Sequence, residues 1–279
     1  MGAVGISPTG EEFLSREILR HGAYVCVRPR GGAARSARAR AAIEELADRF
    51  GLANEFTAAG GPPADSIAFL RRQTAVPGAI ADEALQRSEA VIHVASKHAE
   101  PVAGFCAEAR RLLAPHAEVC LLGGVVRPRN YTGAAMEKFA YARAVTQQPG
   151  PAMPNAFLIP MSKTAEWWGK DWMERHTYFL PRYDEEGRLV AEGHALVSEA
   201  GIPCLLRRTY HALEQPAPAG AYDFLTYFEC ADADVPVFEK VCAGLRDVKR
   251  NPEWKFVREG PTWHGRRVAA WPDALDARG

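Results

Sequence analysis

The chain has no surplus of charge of either sign: 34 lysines and arginines face 34 aspartates and glutamates in 279 residues. That balance excludes a global field drawing it to nucleic acid or to an anionic membrane surface. It also lacks any apolar run of about 18 residues, so no membrane-spanning helix is expected. The opening segment MGAVGISPTGEEFLSREIL lacks the basic stretch and apolar core of a secretory signal, which makes a cytoplasmic location the expectation. Cysteines are few, and Cys26, Cys106, Cys120, Cys204, Cys230 and Cys242 form no CxxC pair. Their apolar surroundings predict buried thiols rather than a disulfide framework or a zinc site. HExxH, a Walker phosphate loop and GxSxG are absent as well, which removes the commonest motif-led readings.

What is present is ordinary in bulk. A hydrophobic fraction of 47% and a charged fraction of 24% suit a globular protein. The length suits one large domain or two compact halves with a shared core. Segments 29–40 and 57–66 are rich in glycine, alanine and proline, or in arginine, and read as loops. Between them Ile43, Leu46, Ala47 and Phe50 recur at helical spacing, predicting a helix over about 37–50. Arg35, Arg38 and Arg40 would suit a phosphate, but a solvated helix start is the simpler reading.

An internal echo recurs at about 135 residues. The first copy is a strand-like Ala90–Ala95, a proline-started helix from His98 to Leu113, and a strand Glu118–Val126. The second is Asp223–Glu229, a helix from near Asp234 to about Val248, then Trp254–Arg258. A further strand, Ala156–Met161, opens the second half, and Tyr131–Gly150 reads as irregular. Strand, helix and returning strand, twice over, predict an α+β fold of two ferredoxin-like halves, 1–150 (divergent) and 151–279. Their sheets would close together into a β-barrel with outer helices.

Three stretches carry candidate chemistry. Lys163 and the tandem Trp167-Trp168 follow an apolar strand directly, offering flat aromatic walls for a ring-shaped ligand, or plain core packing. Glu185–Glu199 reads as a helix whose Val190, His194 and Val197 share a face, so His194 would project from the apolar side. An imidazole on a dry face is either a satisfied core residue or a neutral nitrogen offered to a metal. On the next strand Arg207 and Arg208 are adjacent, and alternation lets only one face the interior, where it would anchor an oxyanion.

Together these residues resemble the haem half of the chlorite dismutase family. The likeness runs through Pro160-Met-Ser-Lys163-Thr-Ala-Glu-Trp167-Trp168, His194, Arg207, Tyr210-His211 and Tyr222-Asp-Phe-Leu-Thr-Tyr-Phe-Glu229. It is strong over 157–229, fair to 268 and weak before 124. The resemblance implies the dimeric α+β barrel fold and a haem cofactor, haem b or alternatively coproheme. By the same likeness His194 is the iron ligand, with Lys163 in its hydrogen-bond shell. Trp167 and Trp168 pack at the haem, Tyr131 lies near a propionate, and Arg207 is the catalytic distal arginine. It further implies a homo-oligomer, a pentamer among the forms, and conversion of chlorite into chloride and dioxygen.

The chain departs from that pattern in two places besides its divergent first half. About a dozen extra residues around Lys170–Tyr183 precede His194 and include His176, a second choice of iron ligand. Where the family places a glutamate that orients the ligand histidine, Arg250 aligns directly; Glu253 would serve only after a local shift. These departures keep other readings open: a peroxidase-like enzyme or haem-dependent dehydratase, a coproheme decarboxylase, or a non-catalytic haem carrier or sensor.

Overall fold

Strands that are apolar on both faces need cover on both sides, and that requirement organises this molecule. The computed structural model describes residues 19–30, 37–58, 63–73, 84–127, 145 and 148–275. Its first half runs β1 (Arg20–Pro29), α1 (Ala37–Arg49), β2 (Ser66–Arg72), β3 (Ala90–Ser96), α2 (Ala99–Leu113) and β4 (Ala117–Val126). The second runs β5 (Asn155–Lys163), α3 (Ala165–Gly169), α4 (Trp172–Thr177), α5 (Gly193–Ser198), β6 (Leu206–His211), β7 (Phe224–Cys230), α6 (Val235–Arg246) and β8 (Trp263–Val268). Antiparallel pairing gives β4-β1-β3-β2 and β6-β7-β5-β8, the same order twice. The sheets join where β2 pairs with β8, and again at the single pair Val125–His211 between β4 and β6. The result is an eight-stranded antiparallel barrel whose β4–β6 seam is closed by that one pair.

Alternation along each strand sorts the side chains into three apolar layers. In β1, Ala23, Val25 and Val27 face α1, α2 and the terminal helix Trp271–Leu275, while Tyr24 and Cys26 face the barrel interior. In β5, Phe157 and Ile159 face α6, whereas Ala156 and Leu158 face inward. Each large side chain so buried contributes about 1.5–3 kcal/mol, which explains apolar runs such as Tyr24–Val27 in β1 and Ala156–Ile159 in β5. The interior nevertheless holds polar groups in pairs. Arg208 Nη1 reaches Glu55 Oε1 at 3.0 Å, Arg267 Nη1 reaches Glu229 Oε2 at 3.1 Å, and the Tyr210 hydroxyl lies 2.8 Å from His93 Nε2. Gly22 makes room for this interior, because a Cβ there would sit 2.1 Å from the Tyr210 ring.

The expected α+β fold of paired ferredoxin-like sheets is what the structure shows, including the helix at Ala37–Arg49 and the repeated strands. The six cysteines are free; four are buried, and Cys120 and Cys204 are half-buried. Two local expectations change. Glu185–Glu199 is not one helix: the Asp184 carboxylate accepts from the amides of Glu186 and Arg188, and Gly187 turns at φ 78°. A short hairpin, Arg182–Tyr183 with Leu189–Ala191, results, and it leaves Val190 exposed while only Gly193–Ser198 is helical. Trp254 and Phe256 lie in a 3-10 turn started by Pro252, so the strand there shrinks to Val257–Glu259, and the returning strand that repeats β4 is β8 instead. Tyr131 and Arg35 fall outside the described residues, as do the side chains of Arg38 and Arg40.

Burial is the main force acting on His93, lowering its pKa from 6.5 to about 3 against a smaller upward pull from Glu55. The unfolded chain therefore binds this proton more readily, and stability falls as pH drops from 6.5 towards 3. Urea unfolding followed across that window should show the parent losing more stability than His93→Gln. Equal losses would mean that His93 is not buried in its neutral form.

Candidate functional site

Between the outer face of β5, β6 and β7 and the helices α5 and α6 lies a partly open cavity of about 100 Å³, smaller than a typical small-molecule site. Its walls are mostly apolar, including Ile159, Met161, Phe179, Phe224, Phe228 and Trp254. Alternation supplies the polar groups: Lys163 from β5, Arg207 and Thr209 from β6, Thr226 from β7. His194 comes from α5, and Glu253 from the turn after α6.

The position of His194 depends on the segment just before it. Gly193, at φ 66°, has no room for a side chain, since a Cβ would lie 2.4 Å from the Leu180 carbonyl oxygen. The amides at the start of α5 find partners in that segment: His194 N donates to Tyr178 O at 3.4 Å and Ala195 N to Phe179 O at 3.0 Å. Arg250 fastens the same helix start. Its carbonyl accepts from Glu192 N and Gly193 N, and its guanidinium grips the Glu192 carboxylate at 2.6 and 2.9 Å. Arg250 is thus turned away from the His194 ring, and the ring meets Glu253 instead.

Glu253 stands between two bases. His194 Nδ1 lies 3.0 Å from its Oε2, and the Lys163 ammonium pairs with Oε1. Burial alone would raise the Glu253 pKa; the Lys163 charge and the His194 hydrogen bond outweigh it and hold the group down at about 2. A carboxylate that stays ionised accepts from Nδ1–H, so Nε2 is left facing the cavity. There Arg207 Nη1 lies 3.5 Å from it. Lys163 is itself held by its amide, which donates to Asp223 Oδ2 at 2.6 Å, and by the Trp167 ring, 4.3 Å from its ammonium.

The structure brings Lys163, His194 and Arg207 together and sets the other expected residues around them. Trp167 is buried against Tyr178, Phe179 and Phe256, behind Lys163. Trp168 stacks on Phe224 with centroids 6.1 Å apart and donates to Asp223. The two tryptophans back the cavity wall without being part of its surface. His176 lies on α4, away from that surface. The tandem arginines are half-buried, on opposite faces of β6: Arg207 in the cavity, Arg208 in the barrel with Glu55. Sequence reasoning had no signal for Asp223 as the anchor of Lys163, nor for the Glu192–Arg250 clamp, because both unite distant segments.

Fold and site define a class: a ferredoxin-like α+β barrel with an imidazole, backed by a carboxylate and an ammonium, in an apolar pocket outside the sheet. That fold is the one found in solved chlorite dismutase structures. A mutant chlorite dismutase from Candidatus Nitrospira defluvii superimposes with a TM-score of 0.65 at 18% identity, over 93% of this chain and 95% of that one. The chlorite dismutase of the same organism in complex with imidazole gives 0.65 at 19% identity, over 96% and 98%. A mutant in complex with cyanide gives 0.65 at 18%, over the same shares. No family model matches the chain, and no curated protein matches it in sequence.

Substituting Gly193→Ala should destabilise the fold by about 1–3 kcal/mol through strain and the contact with Leu180. Urea unfolding measures it; a change within error would show that the helix start does not need glycine.

Proposed function

We propose that the cavity binds haem through His194 and that the protein is a haem-dependent oxidoreductase acting on a small oxyanion, with chlorite as the substrate of choice. The observation that carries this reading is the His194–Glu253–Lys163 linkage at the wall of an apolar cavity. The donor set fits the group: an imidazole with its second nitrogen hydrogen-bonded, apolar walls for a porphyrin, and cations at Lys163, Arg207 and Arg246. Arg246 is bound to Glu259 at the same cavity, through its Nε at 2.8 Å. Haem b and coproheme both remain compatible with this set.

Haem iron would supply the redox chemistry, with chlorite yielding chloride and dioxygen. The chain's own residues do the rest. Glu253 keeps the imidazole proton at Nδ1, which orients the ring and raises the electron density at Nε2. Lys163 keeps Glu253 ionised. Phe179, whose ring centroid lies 5.2 Å from that of His194, shields it from water. Arg207 has to withdraw from Nε2 for that nitrogen to bind a metal, and its guanidinium then serves as a fixed positive charge holding an anion close. His176, off the cavity wall, has no part in this assignment. We also read the chain as two halves, 1–150 and 151–279, of a homo-oligomer, for which sedimentation gives the subunit number.

Titration of the purified protein with haem should produce a Soret band that His194→Ala abolishes. Arg207→Ala should keep the band and lose about tenfold or more of the oxygen released from chlorite. A band retained in His194→Ala removes that ligand assignment. Haem bound without oxygen release in the parent moves the activity to another small substrate or to carriage of the group.

A further inference from the structure

The barrel interior holds titratable groups that the outer cavity does not use. Four rings meet there, Tyr24, His93, Tyr210 and Tyr227, all fully buried. His93 stacks on Tyr24 with centroids 4.7 Å apart and on Tyr227 at 5.5 Å; Tyr24 lies 5.7 Å from Tyr210 and 5.8 Å from Tyr227. Two of the three phenols end on a base. The Tyr210 hydroxyl lies 2.8 Å from His93 Nε2, to which it donates when the ring carries its proton at Nδ1, and the Tyr227 hydroxyl donates to Glu229 Oε1 at 2.7 Å. Filling the barrel would have needed only phenylalanine, and satisfying a hydroxyl only a carbonyl. Phenols in mutual ring contact, with basic acceptors, meet a further requirement: a place for the proton when an electron leaves.

The cluster also lies directly behind the cavity wall. Thr209, Thr226 and Phe228 line the cavity, while Tyr210 and Tyr227, their neighbours in β6 and β7, face inward. One sheet separates the two compartments.

We propose that Tyr24, His93, Tyr210 and Tyr227 form a redox relay that is oxidised by a one-electron oxidant of the iron-porphyrin class held in the outer cavity. The identity of that oxidant rests on the function proposed above. In the step, Tyr210 gives one electron to the oxidant, which is reduced by one. The phenolic O–H bond breaks and its proton passes to His93 Nε2, leaving a neutral tyrosyl radical and an imidazolium. At Tyr227 the proton passes instead to Glu229, which becomes a carboxylic acid. An oxidised phenol is a far stronger acid than either conjugate acid, so both transfers run downhill even though burial depresses the basicity of His93. Ring contacts let the vacancy move among the phenols. The relay thereby draws oxidising equivalents away from Met161, Cys242 and Trp254, oxidisable side chains of the cavity wall.

The first test needs no cofactor. Full-length protein carrying Tyr183→Phe, which removes an exposed phenol, is oxidised with photogenerated tris(bipyridine)ruthenium(III), freeze-trapped and read by electron paramagnetic resonance. A hydrogen-bonded tyrosyl signal is expected, falling several-fold when Tyr210→Phe and Tyr227→Phe are added with the thermal midpoint checked alongside. An undiminished signal in that folded variant overturns the relay. His93→Gln keeps an acceptor for Tyr210 but takes no proton, so the Tyr210 share of the signal should vanish and the Tyr227 share persist. A spectrum unchanged by His93→Gln assigns the hydrogen bond to packing and also overturns the proposal. The second arm loads haem, records the Soret band, then adds hydrogen peroxide. A Soret band without a tyrosyl signal overturns the relay. A photochemical signal without a Soret band supports the relay's chemistry and sinks the haem reading alone.

Discussion

One buried carboxylate holds the outer cavity together. Glu253 sits in a short turn after α6, yet it is bonded to the end of β5 through Lys163 and to the start of α5 through His194. Three segments far apart in the chain therefore meet on two oxygen atoms. Neither charge of the Lys163–Glu253 pair reaches solvent to any extent, with side chains 9% and 6% exposed. Removing one partner would strand the other, so the pair is worth more as a positional constraint than as net stabilisation. His194 gains its orientation from the same arrangement, since a carboxylate kept ionised can only accept from the ring.

Around that constraint, the chain before His194 serves as scaffold. Residues 178 and 179 lend their carbonyls to the first amides of α5, and Phe179 covers the imidazole. The segment that separates Trp168 from His194 is thus structural support for the histidine, with Tyr178 and Phe179 packed in a small core with Trp167 and Phe256. Arg250 completes the support by clamping Glu192, one residue ahead of Gly193.

The sheet divides the molecule chemically as well as spatially. Adjacent residues of β6 illustrate this: Arg207 borders the cavity, Arg208 is neutralised by Glu55 inside the barrel, Thr209 returns to the cavity and Tyr210 to the interior. Because a strand's side chains alternate, a single run of six residues furnishes two environments. Closing the sheet makes the inner one dry, and there polar groups persist only in pairs.

Local pattern was enough to read the repeated strands, the helices at Ala37–Arg49 and Ala99–Leu113, and the α+β architecture, because periodicity reflects which faces must be covered. It was enough also to single out Lys163, His194 and Arg207, whose chemistry is unusual at such apolar positions. It was not enough at Glu185–Glu199, where helical spacing was overridden by an Asp184 turn and a glycine at positive φ. Nor did it decide between Arg250 and Glu253, which lie three residues apart and differ only in which way a turn directs them. Sequence by itself determined the layers and the candidate chemistry; the tertiary structure decided which groups meet. The reason is physical: burial periodicity is encoded locally, whereas a contact such as Glu253 with Lys163 and His194 exists only once the sheet and its helices have closed over it.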